Sequence, residues 1–114
     1  MANTPSIVSL VIDPASIPIG GSAPYAATLY NPTGTAMSVI LQGEVHQEST
    51  TRAGGGTTAQ FPPGASVIQW FAVASNSNGG TGTLVPGAAT FQLQLISGPT
   101  VLDTKTVAVT LTSP

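Results

Sequence analysis

An all-β sandwich of about seven short strands is the fold this sequence predicts, and three observations predict it. Apolar residues recur with period two along most of the 114 residues, the signature of strands with one face buried. Glycine and proline, 13 and 10 in number, break the pattern about every ten residues, as turns between strands do. Apolar spacing at three and four residues, which a helix needs, is poorly represented.

The elements follow in order. A first strand is expected over Ser6 to Ile12, ended by Asp13-Pro14. A short edge piece follows at Ile17 to Ile19, where Pro18 suits an edge because it cannot donate to a ladder. A second strand from Ser22 to Tyr30 stops at Asn31-Pro32-Thr33-Gly34, a strong turn signal. A third covers Thr35 to Gln47, with Met37, Val39, Leu41, Gly43 and Val45 on the core parity. Ser38, Gln42, Glu44 and His46 take the wet parity, which only Ile40 interrupts. Glu48 to Gly64, with Gly54-Gly55-Gly56 at its centre, reads as a mobile loop holding at most a weak edge strand from Thr57 to Phe61. Ser66 to Ala74 is the most apolar strand, and Ser75 to Gly82 a polar connection. Ala89 to Ile96 buries Phe91, Leu93 and Leu95, and the turn Ser97-Gly98-Pro99 leads into a last strand from Val101 to Thr112.

About seven strands in roughly 100 residues is the rhythm of an immunoglobulin-like sandwich. Asp13-Pro14 through Ile19-Gly20-Gly21-Ser22, the turn from Tyr30 to Ala36, Pro86 to Phe91 and the strand Lys105 to Val109 together resemble the Ig-like modules of bacterial surface proteins and phage virions. They are similar in particular to the CARDB-like or fibronectin-III-like group. That resemblance implies a largely non-catalytic module with no active-site residues to carry over. It departs from antibody-type domains in lacking both core cysteines, so Trp70 is expected in a purely apolar core. The whole chain is read as one such domain, with residues 1–5 as a flexible arm that grips a neighbour.

Only Asp13, Glu44, Glu48, Arg52, Asp103 and Lys105 carry a formal charge. At 5% charged, against about one quarter in ordinary domains, the chain relies on Thr, Ser, Asn, Gln and Gly for its polar surface. Its net charge of −2 offers no basic field for phosphates, which argues against nucleic acid as partner. No run is apolar enough to enter a membrane, and no cysteine is present for disulfide, thiolate or thiol chemistry. The first residues lack the features of a signal peptide, so the chain is expected to be made in a cytoplasm or to belong to a longer secreted protein.

Glu44, His46 and Glu48 are expected along one outer row, about 6.5–7 Å apart from one to the next. Metal ligands must converge within about 2–2.2 Å of a point, which a straight strand does not achieve, so a solvated face is the preferred reading and no cofactor or metal is expected. With Arg52, this row is a candidate contact point sensitive to pH. Hydrolase chemistry lacks a nucleophile elbow. Glu44 and Glu48, at about 13 Å on an extended strand, exceed the ~5–9.5 Å of glycosidase carboxylates.

On Ser66 to Val73, Ile68, Trp70 and Ala72 share one side and Val67, Phe71 and Val73 the other. Only one side of a sandwich strand is core, so the Trp70, Phe71 and Val73 segment is the candidate subunit contact. Most of the remaining aromatics are expected in the core. The function favoured is a structural module that decorates or reinforces a phage virion by binding a capsid or other assembly protein, with homo-oligomers possible. The alternative is an extracellular adhesion or carbohydrate-binding module at a cell surface, with exposed aromatics stacked on sugar rings.

Overall fold

The computed structural model describes residues 4–77 and 79–113. Its strands are β1 (Ser6–Ile12), β2 (Ser16–Pro18), β3 (Gly21–Asn31), β4 (Met37–Gln47), β5 (Thr50–Phe61), β6 (Gly64–Ala74), β7 (Gly80–Thr81), β8 (Gly87–Ser97) and β9 (Thr100–Thr112). Seven of these are long, which is the expected number, and β2 and β7 are short additions at the edge of a sheet. The strands form two sheets, β1-β3-β6 and β2-β9-β8-β4-β5-β7. Every pairing is antiparallel except that of β2 with β9. This is an immunoglobulin-like sandwich in which β5 joins the larger sheet beside β4. In the constant-type arrangement the equivalent strand lies in the sheet of the first two.

Period-two patterning accounts for the core. Val39, Leu41 and Val45 of β4 face Phe91, Leu93 and Leu95 of β8, and all six are buried. Where the parity changes, a bulge changes it. The β1–β3 register shifts between Ile7 and Ser9, so Ile7, Leu10 and Ile12 all point inward while Val8 and Val11 are left outside. Each large aliphatic side chain buried in this way contributes roughly 1.5–3 kcal/mol.

The first strand is shared between the sheets. After β1 the chain crosses at Asp13–Ala15, where the Asp13–Pro14 peptide is cis, and β2 pairs with the end of β9. The Ile7 N–H donates to Asp103 Oδ2 of β9 at 2.8 Å, a second tie between the first strand and the last. Of the arm expected over residues 1–5, residues 1–3 lie outside the described residues, Thr4 is exposed and Pro5 is buried.

The mobile loop expected from Glu48 to Gly64 is corrected by the structure. Residues 50–61 form a twelve-residue strand paired along β4. The glycines that suggested flexibility serve close approach. The β4–β5 register shifts between Gln42 and Glu44, so Gly54 and Gly55 oppose the single Gly43. There the β5 backbone is pressed against the β6 carbonyls of Phe71 and Val73, with no room for a Cβ at Gly55. The Gly54–Gly55 step is thus the seam along which the two sheets meet. A smaller correction concerns the start of β4, at Met37 and not Thr35, because the Thr35 carbonyl is taken by the preceding turn.

The polar connection after β6 is fastened by side chains. Asn76 accepts from the Leu84 N–H at 2.6 Å, and Gln47 accepts from the Val85 N–H at 2.9 Å while donating to the Val85 carbonyl at 2.8 Å. Asn78, part of that connection, lies outside the described residues.

Tyr25 is 2% exposed against Phe91, ring centres 5.6 Å apart, and its hydroxyl is buried with no hydrogen-bond partner among the described residues. Burial pushes its pKa up to about 12, from an ordinary 10. The unfolded chain therefore ionises first, and stability that is complete below pH 10 is lost as pH rises toward 12, by on the order of 2–3 kcal/mol. Tyr25→Phe is expected to abolish this alkaline limb. It also removes an unsatisfied hydroxyl, so at pH 7 a gain of about 1 kcal/mol is expected in urea unfolding. A loss of stability at pH 7 would show that the hydroxyl has a partner after all.

Candidate functional site

Paired residues of an antiparallel ladder project on the same side, so register alone assigns the outer faces. On the three-stranded sheet the outer rows are Tyr30 with Ala65, Thr28 with Val67, Ala26 with Gln69, Pro24 with Phe71 and Ser22 with Val73; Val11 of β1 stands beside Ala26. No residue of β1, β3 or β6 is charged. Among the described residues, six exposed large apolar side chains belong to these strands, namely Val8, Val11, Tyr30, Val67, Trp70 and Phe71. Only Ile40, Val85 and Val101 lie elsewhere. Strands of seven, eleven and eleven residues set about 4.8 Å apart make a face of roughly 450 Å², within the range of the largest patch on a typical monomer.

Phe71, 50% exposed, stands on this face as its parity requires. Trp70 does not, and here the sequence reading is corrected. Its parity points to the core, yet it is 42% exposed. The reason is position, because β6 is an edge strand. There the indole meets the Phe71 ring, centres 6.0 Å apart and planes inclined by 61°. Tyr30 is also exposed, whereas Tyr25, Phe61 and Phe91 are buried as expected of core aromatics. Val73, the third residue of the candidate contact, is half-buried beside the Gly55 seam. A groove of about 480 Å³ runs across the outer face, lined by Val11, Asp13, Pro24, Tyr25, Ala26, Gln69, Trp70 and Phe71.

The larger sheet has the opposite chemistry. Its outer rows hold Gln42 with Gln94 and Thr104, and Glu44 with Gln92 and Thr106. His46 lies within this polar face. Its Nε2 stands 3.2 Å from Glu44 Oε1 and 2.6 Å from Gln92 Oε1, two acceptors, so the network places a proton on Nε2. Thr51 Oγ1 stands 3.2 Å from Nδ1, within hydrogen-bond distance of the second nitrogen. Hydroxyl, imidazole and carboxylate are in sequence, as in a nucleophilic triad, but the three satisfy one another on a sheet face, and the groove of the three-stranded sheet does not adjoin them.

The expected cluster of Glu44, His46, Glu48 and Arg52 is only half assembled. Glu44 and His46 meet, but Glu48 has left the row. It occupies the tight turn between β4 and β5 with φ +55°, a conformation such turns require, and it borders a separate depression with Gln47 and Pro86. Arg52 is directed to the Gly82 carbonyl, through Nε at 2.9 Å and through Nη2. Sequence reasoning missed Asp13 and Gln69, whose place in the groove follows from register and not from spacing along the chain.

No family model matches the chain, and neither does any curated protein. Solved structures do resemble it. The CARDB domain of a Pyrococcus furiosus protein, solved in complex with di-metal ions, superposes with TM-score 0.59 at 13% identity, over 95% of this chain and 90% of that one. An alkylpurine DNA glycosylase of Pseudomonas fluorescens, bound to DNA containing an abasic site analog, gives TM-score 0.61 at 12% identity. There the match covers 98% of this chain and 31% of the glycosylase. A β-glucosidase of Listeria innocua, in complex with glucose, gives 0.58 at 12% identity over 94% of this chain and 15% of the enzyme. This chain thus spans under a third of the length of either enzyme, and the likeness establishes the Ig-like, CARDB-like fold.

Proposed function

We propose that the chain is a non-catalytic interaction module, and that it attaches to a larger assembly through the outer face of its three-stranded sheet. The observation that carries this reading is the absence of charge from β1, β3 and β6 together with the exposed Val8, Val11, Tyr30, Val67 and Phe71 on their outer side and the exposed Trp70 beside Phe71. A face of that kind favours burial against another protein. The assembly we propose is a phage virion, with the chain as a decoration or accessory part. Support for that step is compositional: a polar, almost uncharged, cysteine-free module suits a surface built from many copies, where symmetry multiplies weak contacts.

Carbohydrate binding is the second reading, and the aromatic geometry weighs against it. A sugar-stacking shelf needs coplanar exposed rings, whereas Trp70 and Phe71 are inclined by 61°. The di-metal ions of the Pyrococcus furiosus domain offer no better guide, since among the described residues no three His, Cys, Asp or Glu side chains gather as a metal site.

Light scattering across a hundredfold dilution tests the contact face. The wild-type mass is expected to rise above the 11.3 kDa monomer at high concentration, because an apolar face associates with itself when its partner is absent. Phe71→Lys, which adds a charge at the centre of the face, is expected to remain monomeric throughout. Identical monomers for both chains at every concentration would remove the support for this surface.

A further inference from the structure

The groove across the three-stranded sheet has chemistry that the surrounding face lacks, and this points to one kind of partner side chain. Its floor is flat and small, made by Pro24 and Ala26 of β3. Val11 of β1 borders one side, and Trp70 and Phe71 of β6 the other. Asp13 and Gln69, two polar side chains of its lining, make no hydrogen bond or ion pair among the described residues. Asp13 is also the only charged residue of the lining, beside a sheet with no charge of its own. Asp103, by contrast, is committed to the Ile7 and Thr104 N–H groups, and Glu44 to His46.

Resting on the contact-face reading above, we infer that this groove is the anchor pocket of the face and receives an arginine side chain projecting from the partner protein. Each part of the lining matches a part of that side chain. The methylene stem lies on Pro24, Ala26 and Val11, as such stems do on apolar surface. The guanidinium stacks against one of the two inclined rings, where the ring quadrupole attracts a cation, and its N–H edge reaches the unpaired Asp13 carboxylate and the Gln69 amide oxygen. Lysine matches less well, because it has neither a planar face to stack nor a fork for the carboxylate. An exposed ion pair alone contributes little. Here the surrounding apolar face excludes water once the partner is seated, the setting in which a buried arginine becomes a hot spot. An acidic partner side chain at the same place would meet Asp13 with no cation nearby on the sheet.

The test is a titration of the full chain with N-acetyl-arginine amide at constant ionic strength, followed by amide and side-chain NMR shifts. N-acetyl-citrulline amide, of the same shape without the charge, is the control. Saturable shifts at the Trp70 indole N–H, the Gln69 side-chain amide and Ala26 are expected with the arginine probe, and at least fivefold weaker binding with citrulline. Asp13→Asn is expected to weaken the arginine response at least fivefold. Phe71→Leu, which leaves the Asp13 turn untouched, is expected to weaken it as well. Equal responses to the two probes, or a response that survives both substitutions, would overturn the inference. A chain that self-associates through Phe71 yet ignores the arginine probe refutes the anchor pocket and leaves the contact face standing. A strictly monomeric chain that binds the probe at these residues upholds the pocket while the contact face loses its support.

Discussion

Gly55→Ala is expected to lower the unfolding free energy by about 2–5 kcal/mol. Two costs add. Gly55 has φ +108°, a conformation that costs an L-residue about 1–2 kcal/mol. A Cβ there would also fall far inside van der Waals contact of the Phe71 carbonyl oxygen, which belongs to backbone and cannot swing away. Phe71 and Val73 are locked in register with Pro24 and Ser22 of β3, so relief requires moving β6 as a whole. Overpacking of this kind costs about 1–3 kcal/mol or more. Gly43 stands opposite, its own Cβ position only 2.7 Å from the Gly55 carbonyl oxygen, so the bulge is closely packed against β4 as well. Gly98→Ala is the natural control. Its φ of +60° is also left-handed, but nothing lies within 4 Å of its Cβ position, and about 1 kcal/mol is expected. Urea unfolding of the two variants separates backbone conformation from sheet contact, and equal losses would disprove the seam.

The second large effect is expected at Asn31, 1% exposed at the end of β3. Its Nδ2 donates to the Thr35 and Phe61 carbonyls at 2.9 and 3.0 Å. Its Oδ1 accepts from the Thr33 N–H at 3.0 Å and the Thr33 hydroxyl at 2.6 Å. One side chain thus holds the turn before β4 and ties it to the end of β5. Asn31→Asp keeps the shape and reverses two contacts, setting a carboxylate oxygen against two carbonyl oxygens at a buried position. A loss of about 3–5 kcal/mol is expected at pH 7, the cost of an uncompensated buried charge. Burial and the facing carbonyls raise the folded pKa of the new carboxyl above its unfolded value near 3.9. The deficit relative to wild type is therefore smallest below about pH 4 and grows as pH rises. Urea midpoints at pH 4 and pH 7 measure this directly, and a deficit independent of pH would mean that the aspartate has found solvent.

The strands with strict alternation, β4, β8 and β9, are legible because each buries one face and wets the other. The doubly apolar β6 also announces an exposed face, and Phe71 stands where that logic puts it. Legibility fails where one residue type serves two physical ends. Glycine permits both disorder and close backbone approach, and only the neighbouring carbonyls, distant in sequence, select the second at Gly55. Trp70 was expected inside on parity, but parity does not say that a strand lies at an edge. The Glu44–His46 pair is readable from spacing, whereas Glu48 leaves it because the hairpin turn begins one residue earlier than an extended row assumes. Asn31 reads as a turn residue, and nothing local reveals that a carbonyl thirty residues later will bury it. The groove unites Val11 of β1, Pro24 of β3 and Phe71 of β6 with Asp13 from the turn after β1, and so depends on register, which no short window contains.

The first strand is held by the last. β2 pairs with residues 110–112, Ile19 donates to the Thr112 carbonyl at 2.9 Å, and the Ile7 N–H is capped by Asp103. The N-terminal strands are thus translated first, yet their partners come at the far end of the chain. During synthesis β1 and β3 can pair as a ribbon, but of the sheet that covers its apolar inner side only β4 and β5 are present until β8 and β9 have emerged. Closure of the sandwich thus waits on its last strands, and until they arrive the inner side of the three-stranded sheet is the surface most in need of shielding.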